Sequence, residues 1–277
     1  MPVIALTQGM GSLAQDIAEQ LAKELELSTL QHEVVDHVAN KMHVSRSLIN
    51  RLRAGKAGAI ERFRADREGM AIYTAEEVLE TAARGNVVLR GWGATCLLRP
   101  VPHVPCVRIM RPLAKRVQWL MAEIDTDDVE LAEAEILRSD RANAARMHEQ
   151  FGVNWGDPVL FDLVLNTDRL SVDTCVQQIR ALLLRPEFAE TDASRALLNG
   201  MALQAHVRAA MRAHDTTHNV DVVIEGTDDR IVLRGIVVSG EERAAAEQVA
   251  TAVPGVAAVD NQLRVMATSR LFPSARA

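Results

Sequence analysis

VIALTQGMGSLAQDIAEQLAKEL, residues 3–25, changes its period partway along. Val3 to Thr7 is a short apolar run of the kind a buried strand makes, and it stops at Gln8-Gly9-Met10-Gly11-Ser12. From Leu13 the apolar positions recur at helical spacing, with Ile17, Leu21 and Leu25 beside Ala14, Ala18 and Ala22 on one stripe. Strand, glycine-bearing turn and helix, in that order, aim backbone N–H groups and the positive end of the helix dipole at whatever sits above the turn. The order predicts an anion site.

A phosphate-wrapping loop of the form GxxxxGK[ST] needs glycines for close backbone approach, a lysine for the outer phosphates and a hydroxyl for Mg²⁺. Here the frame reads Gly9-Met10-Gly11-Ser12-Leu13-Ala14-Gln15-Asp16. The first glycine fits, while Ala14, Gln15 and Asp16 replace the second glycine, the lysine and the hydroxyl. These eight residues are the candidate cofactor-binding loop, with Asp16 the candidate Mg²⁺ ligand. Its charge would repel a triphosphate that no cation compensates.

Downstream, Val34, Val35, Val38 and Ala39 predict a helix in a region that reads as all helical. Asn86 to Gly91 predicts a second buried strand and Val104 to Met110 a third, after which Pro112 sits where it would open a helix. A charged helical stretch, 127–150, leads through a loop at 151–158 to a strand at Phe161 to Thr167 and a helix at Val172 to Leu184. Strands alternating with helices predict an α/β fold with a parallel sheet covered on both faces. After Phe188 the pattern becomes a helix from about Asn199 to His214, a hairpin, an alanine-rich helix and a last strand, which predicts a small α+β unit. The expected division is a domain at 1–190, a linker at 191–198, a second domain at 199–267 and a flexible tail at 268–277.

The chain has 277 residues, a net charge of −6 and 3% aromatic residues. That composition offers neither a general attraction for polyanions nor an aromatic platform for stacking bases, so nucleic acid is not an expected partner. A local basic run exists: Lys41, Arg46, Arg51, Arg53, Lys56, Arg62, Arg64 and Arg67 face only Glu61, Asp66 and Glu68 between them. Its plain reading is a solvated helical face. Cys96, Cys106 and Cys175 show no CxxC pair and read as reduced, mostly buried thiols. MPVIALTQG lacks the pattern of a secretory signal, and no stretch approaches the ~20 apolar residues of a membrane helix, so the expected location is the cytoplasm. His32 and His37 are five apart, out of register for the HExxH metal motif, and His214 and His218 read as part of a polar connector.

Over roughly 180 residues the chain resembles the cytidylate-kinase-like family of nucleoside monophosphate kinases. The likeness is carried by residues 3–25 together with GNVVLRGWGATCLL (85–98), VRIMRPLAKRVQWLM (107–121), AEAEILRSDRANAARM (132–147) and WGDPVLFDLVLNTDRLSVDTCVQQI (155–179). The last contains a strand similar to the family's Asp-Leu-Val-Ile-Asn-Thr. The resemblance implies ATP and Mg²⁺ as cofactors and a nucleotide as substrate. It implies catalytic roles at Gln15, Arg116, Arg138, Asp140, Arg141 and Arg146, and substrate contacts at Gln31, Gly91, Gly93 and Arg116.

Departures from the family pattern are several. Gly11-Ser12-Leu13-Ala14-Gln15 stands where members carry Gly-Ser-Gly-Gly-Arg, and Gln15 lacks the point charge that steadies a transferring phosphoryl group. In the lid, Asp140 is kept, but Asn143 and His148 fill positions where relatives have arginine; Arg138, Arg141 and Arg146 could substitute by a shift in register. Gln31 replaces the expected aspartate, and Trp92 replaces the arginine of a Gly-Arg-Gly-Ala turn.

VDVVIEGTDDRIVLRGIVVSGEERAAAEQVATAVPGVAAVDNQLRV, residues 221–265 with Val220 before them, resembles the BON domain. That resemblance implies a protein or phospholipid partner and a scaffolding or sensing role. Residues 199–266 hold six Arg against nine Asp plus Glu, which favours a protein or small-ligand surface over anionic lipid. The combined expectation is a nucleotide-binding protein with weak or absent transfer that acts as a sensor or scaffold. An active CMP-type kinase and a purely structural interaction protein stay open as alternatives.

Overall fold

A computed structural model describes residues 1–30, 33–227 and 229–266. The chain divides into two compact units, Met1–Asn199 and Gly200–Ala277. The first begins with β1 (Val3–Gln8), α1 (Ala14–Leu25), β2 (Ser28–Leu30), α2 (Glu33–Met42), α3 (Arg46–Arg53), α4 (Ala59–Arg64) and α5 (Arg67–Arg84). It continues with β3 (Val87–Arg90), α6 (Ala94–Leu97), β4 (Cys106–Met110), α7 (Leu113–Glu123), α8 (Val129–Phe151), β5 (Leu163–Asn166) and α9 (Val172–Leu183). α10 (Asp192–Ala213) crosses the division, and β6 (Val223–Thr227), β7 (Arg230–Val237), α11 (Gly240–Thr251) and β8 (Ala258–Val265) complete the second unit.

The first sheet is parallel throughout, in the order β2-β3-β1-β4-β5. β1 is therefore central, which is why Val3, Ile4, Ala5 and Leu6 are all buried: a strand covered on both faces reads as a continuous apolar run. The helical stripe foreseen from the sequence meets that sheet. α1 buries Ala14, Ile17, Ala18 and Leu21, and these share a core with Ile4, Leu6, Val107 and Ile109 and with Cys175, Val176 and Ile179 of α9. β2, three residues long at the sheet edge, escapes sequence reading because it is too short to show a period. Among the described residues no helix is long and apolar enough to cross a membrane.

In the second unit β6 and β7 pair antiparallel, as the hairpin pattern predicts, and β8 lies parallel to β7. Its core joins Val207 and Met211 of α10 to Ile224, Ile231, Leu233 and Leu263 of the sheet and to Ala246 and Ala250 of α11. One expectation needs correction. The segment 191–198, expected as a linker, is helical from Asp192, so the helix foreseen from about Asn199 begins seven residues earlier. A capping box explains the early start, since Thr191 N–H donates to Ser194 Oγ and Ser194 N–H donates back to Thr191 Oγ1. The polar residues that look like a linker are a helix start.

Candidate functional site

The C-terminal ends of β1, β3 and β4 open onto two cavities, the position where open α/β sheets hold ligands. The larger, about 620 Å³, is lined by residues of β1, α3, β3 and α8, including Arg53, Arg90, Trp92 and Arg146. The smaller, about 50 Å³, lies against the glycine loop between Gly9, Ser12, Arg111, Arg116 and Asp140.

Three arginines dominate the larger cavity. Burial, reinforced by the charges of Arg146 and Arg90, pushes Arg53 down to about 9, and burial likewise lowers Arg90 and Arg146. Arg53 stays a cation at neutral pH. Its guanidinium lies 3.2 Å from the Trp92 ring centroid, a stacked cation–π arrangement that orients it without neutralising it. Arg146 donates to the Arg53 carbonyl at 3.3 Å and to Asn143 Oδ1. Among the described residues none of the three forms an ion pair with a carboxylate; Glu149, nearest in sequence, pairs with Arg67. Like charges gathered under partial desolvation repel one another, so the arrangement is poised for an anion.

The turn that presents Trp92 is itself strained. Gly91, Trp92 and Gly93 have φ of 80°, 58° and 73°, three left-handed residues in succession. Glycine accepts that conformation, whereas a bulky residue there costs on the order of 1–2 kcal/mol. The strain holds an indole against Arg53 at the mouth of a cavity.

At the loop, Gly9 leaves room for Arg116 in its present position: a Cβ on Gly9 would lie 2.8 Å from a terminal nitrogen of that guanidinium. Arg116, 9% exposed, donates from Nε to the Met10 carbonyl at 2.6 Å and from both terminal nitrogens to Asp140, at 2.8 and 2.7 Å. Ser12 is 1% exposed and its Oγ has no hydrogen-bond partner among the described residues. The Ser12 carbonyl accepts from Thr167 Oγ1 at 2.9 Å, which ties the loop to the end of β5. Leu13, where the family pattern has glycine, keeps a left-handed φ of 61° as the N-cap of α1. Below the loop, Arg108 stacks on Trp155 at 4.5 Å and donates to its carbonyl.

The expected site residues therefore separate. Gly9, Ser12, Arg116 and Asp140 meet at the loop; Met10 shows its carbonyl to Arg116 and also lines the larger cavity, with Gly91, Gly93 and Arg146. Gln15 borders that cavity but donates to Glu19 one helical turn on, at 2.9 Å, and Ala14 is buried in the helix. Asp16 is exposed, and its charge is felt by Arg90. Arg138 pairs with Glu135, Arg141 is exposed, and neither lines a cavity. Gln31 lies outside the described residues. Arg53 and Arg90 were not singled out as site residues from the sequence, although Arg53 sits in the basic run and Arg90 directly precedes the glycine turn. In that run five of the eight cations are ion-paired, to Glu76, Asp36, Glu61, Glu135 and Glu149. Arg53 is the one that turns into the cavity.

A Mg²⁺ triphosphate fits this loop poorly. Gly9 and Ser12 keep two residues of the family's loop pattern, but Gln15 supplies no charge, Arg116 is neutralised by Asp140, and Asp16 adds repulsion. Among the described residues no group of three or more His, Cys, Asp or Glu side chains is placed to hold a metal ion.

Residues 3–169 match the model of the cytidylate kinase-like family, and residues 201–267 match that of the BON domain. A cytidylate kinase of Ignicoccus hospitalis is 30% identical over 185 residues, 66% of this chain and 100% of that protein. A cytidylate kinase of Staphylothermus marinus is 32% identical over 101 residues, covering 36% of this chain and 56% of its own length. An uncharacterized protein of Eubacterium ventriosum shares the fold of the first unit, with a TM-score of 0.52 at 17% identity over 66% of this chain and 98% of its own. The parallel sheet, the glycine loop and the family match agree: the chain belongs to the cytidylate kinase-like family and carries a BON domain behind its kinase-like unit.

Proposed function

We propose that this protein binds a nucleoside monophosphate in the 620 Å³ cavity, transfers phosphate weakly or not at all, and serves as a nucleotide-responsive sensor or scaffold through its BON domain. The carrying observation is the Arg53, Arg90 and Arg146 cluster, which gathers three cations without a close ion pair to a carboxylate among the described residues, Asp16 and Glu19 acting on Arg90 and Glu149 on Arg146 only from farther off. A volume within the usual range for small-molecule sites, roughly 300–1,000 Å³, suits a nucleotide. A phosphate monoester supplies the missing negative charge, and planar guanidinium groups match its oxygens. ATP and Mg²⁺ are the cofactors of the reading in which transfer survives; in this one, the loop leaves them without a matching cation.

Calorimetric titration of CMP and AMP, with and without Mg²⁺, tests the binding. Saturable binding that Arg53→Leu weakens by about tenfold or more supports the reading. Turnover of ATP and CMP at about 1 s⁻¹ or more would instead identify a working kinase. The sensor role is read separately, by hydrogen exchange: CMP should alter protection within residues 200–266, and no change there reduces the protein to a binder.

A further inference from the structure

The glycine loop has lost its own cation, yet a cation rests on it. Arg116 reaches the loop from α7 and is held there by Asp140 of α8, so two neighbouring helices meet across the phosphate cradle. Of the five N–H groups of that guanidinium, three are taken: Nε by the Met10 carbonyl and one on each terminal nitrogen by the carboxylate. A guanidinium held ready for a ligand keeps its fork open. This fork is filled by the group that most resembles a phosphate edge, since the same geometry accepts either anion.

Two further observations point the same way. The cavity beside the pair is about 50 Å³, room for a few waters at roughly 10–15 Å³ each on this measure and too small for a polyphosphate. Within it Ser12 Oγ is buried and makes no hydrogen bond among the described residues, which is unusual for a hydroxyl unless a partner comes from outside. We infer that Asp140 is a built-in stand-in for phosphate, latching Arg116 across the loop and keeping the donor side shut until a polyphosphate displaces it. Arg116 is then the cation that replaces the one missing at Gln15, and Ser12 gains its partner when the latch opens. This inference rests on the loop being a phosphate cradle, not on the Arg53 cavity, so CMP binding provides a separate readout.

The test uses the full chain and inorganic tripolyphosphate, with ATP as a second probe. Asp140→Asn keeps the shape and removes the charge, and should tighten tripolyphosphate binding by about tenfold or more, the worth of one charge-assisted contact no longer competed for. In an Arg116→Ala background the same change should give no gain, while CMP binding and its loss in Arg53→Leu are read separately on the otherwise unaltered chain. If Asp140→Asn melts below the assay temperature, Asp140→Ser carries the same expectation. Unchanged binding overturns the latch. Weaker binding also overturns it, and would make Asp140 a residue that orients Arg116 for its ligand.

Discussion

Arg53 shows how a residue can be visible in the sequence while its role is not. It lies within a run of cations that reads as a solvated face, and most of that run is ion-paired to carboxylates. Only the stacking on Trp92 and the approach of Arg90 and Arg146 separate it from its neighbours, and those contacts span residues far apart in the chain. Its folded value, about 9, is below that of a free guanidinium, so its charge destabilises the fold at neutral pH, and that penalty is relieved as pH rises through about 9. Arg53→Leu should therefore stabilise the empty protein by about 1 kcal/mol, or about 2–4 °C in Tm, while weakening CMP by about tenfold or more. Calorimetry at pH 7 and pH 10 checks both parts, because the gain in Tm should shrink at the higher pH. Gln15 teaches the reverse lesson: its identity reveals a missing cation, but not that the side chain bonds to Glu19. A lysine there would meet the same carboxylate at i, i+4. Gln15→Lys alone should improve tripolyphosphate binding by less than about threefold, and Gln15→Lys with Glu19→Gln by about tenfold, if one new charge-assisted contact reaches the ligand. Equal affinities for the two variants would show that Glu19 does not restrain the new lysine.

Elements were legible where their period was long and their burial simple. α1, the central strands and the hairpin follow directly from apolar spacing, because a residue's place in the core repeats along the element. The helical region between β2 and β3 was legible as helix but not as an assembly, since its organising contact is polar and nonlocal. Glu76 of α5, 6% exposed, accepts from His37 of α2 at 2.7 Å and from Lys41 at 3.4 Å, and Glu77 adds a second contact to His37. His37, which looked from the sequence like half of a misaligned metal motif, thus joins two helices. Burial pushes the Glu76 carboxyl up, but His37 and Lys41 outweigh it and hold it below its ordinary value. A carboxyl lowered on folding contributes stability that is present above its unfolded value, about 4.3, and is lost as pH falls through the folded value. Glu76→Gln should cost about 2 kcal/mol at pH 7, the scale of a partly buried charged hydrogen bond. Urea melts should show that difference closing at acidic pH, where the parent carboxyl is itself protonated. A constant difference across pH would place the loss in packing.

At the scale of the molecule, the change of pattern after Phe188 correctly announces a second unit, but the polar residues that follow do not end the first. Glu190 pairs with the amino terminus, Arg195 donates to the Ala83 carbonyl at 3.0 Å, and Ser194 Oγ meets His103 Nδ1 at 2.7 Å. Leu198 is fully buried. All these residues precede Gly200, where the second unit begins, so the first two turns of α10 belong to the kinase-like unit. Sequence composition could not show this, because a capping box and a linker draw on the same Thr, Asp and Ser vocabulary. A fragment of residues 1–190 leaves His103 buried without its serine, in a setting where burial already lowers its pKa, and removes the Arg195 bond to the Ala83 carbonyl. Removing these two hydrogen bonds costs about 2–4 kcal/mol together. Residues 1–199 should accordingly melt cooperatively and well above residues 1–190, by about 6 °C or more for a domain of this size. Differential scanning calorimetry on the two fragments decides the boundary: equal melting temperatures would return residues 191–198 to the role of a spacer.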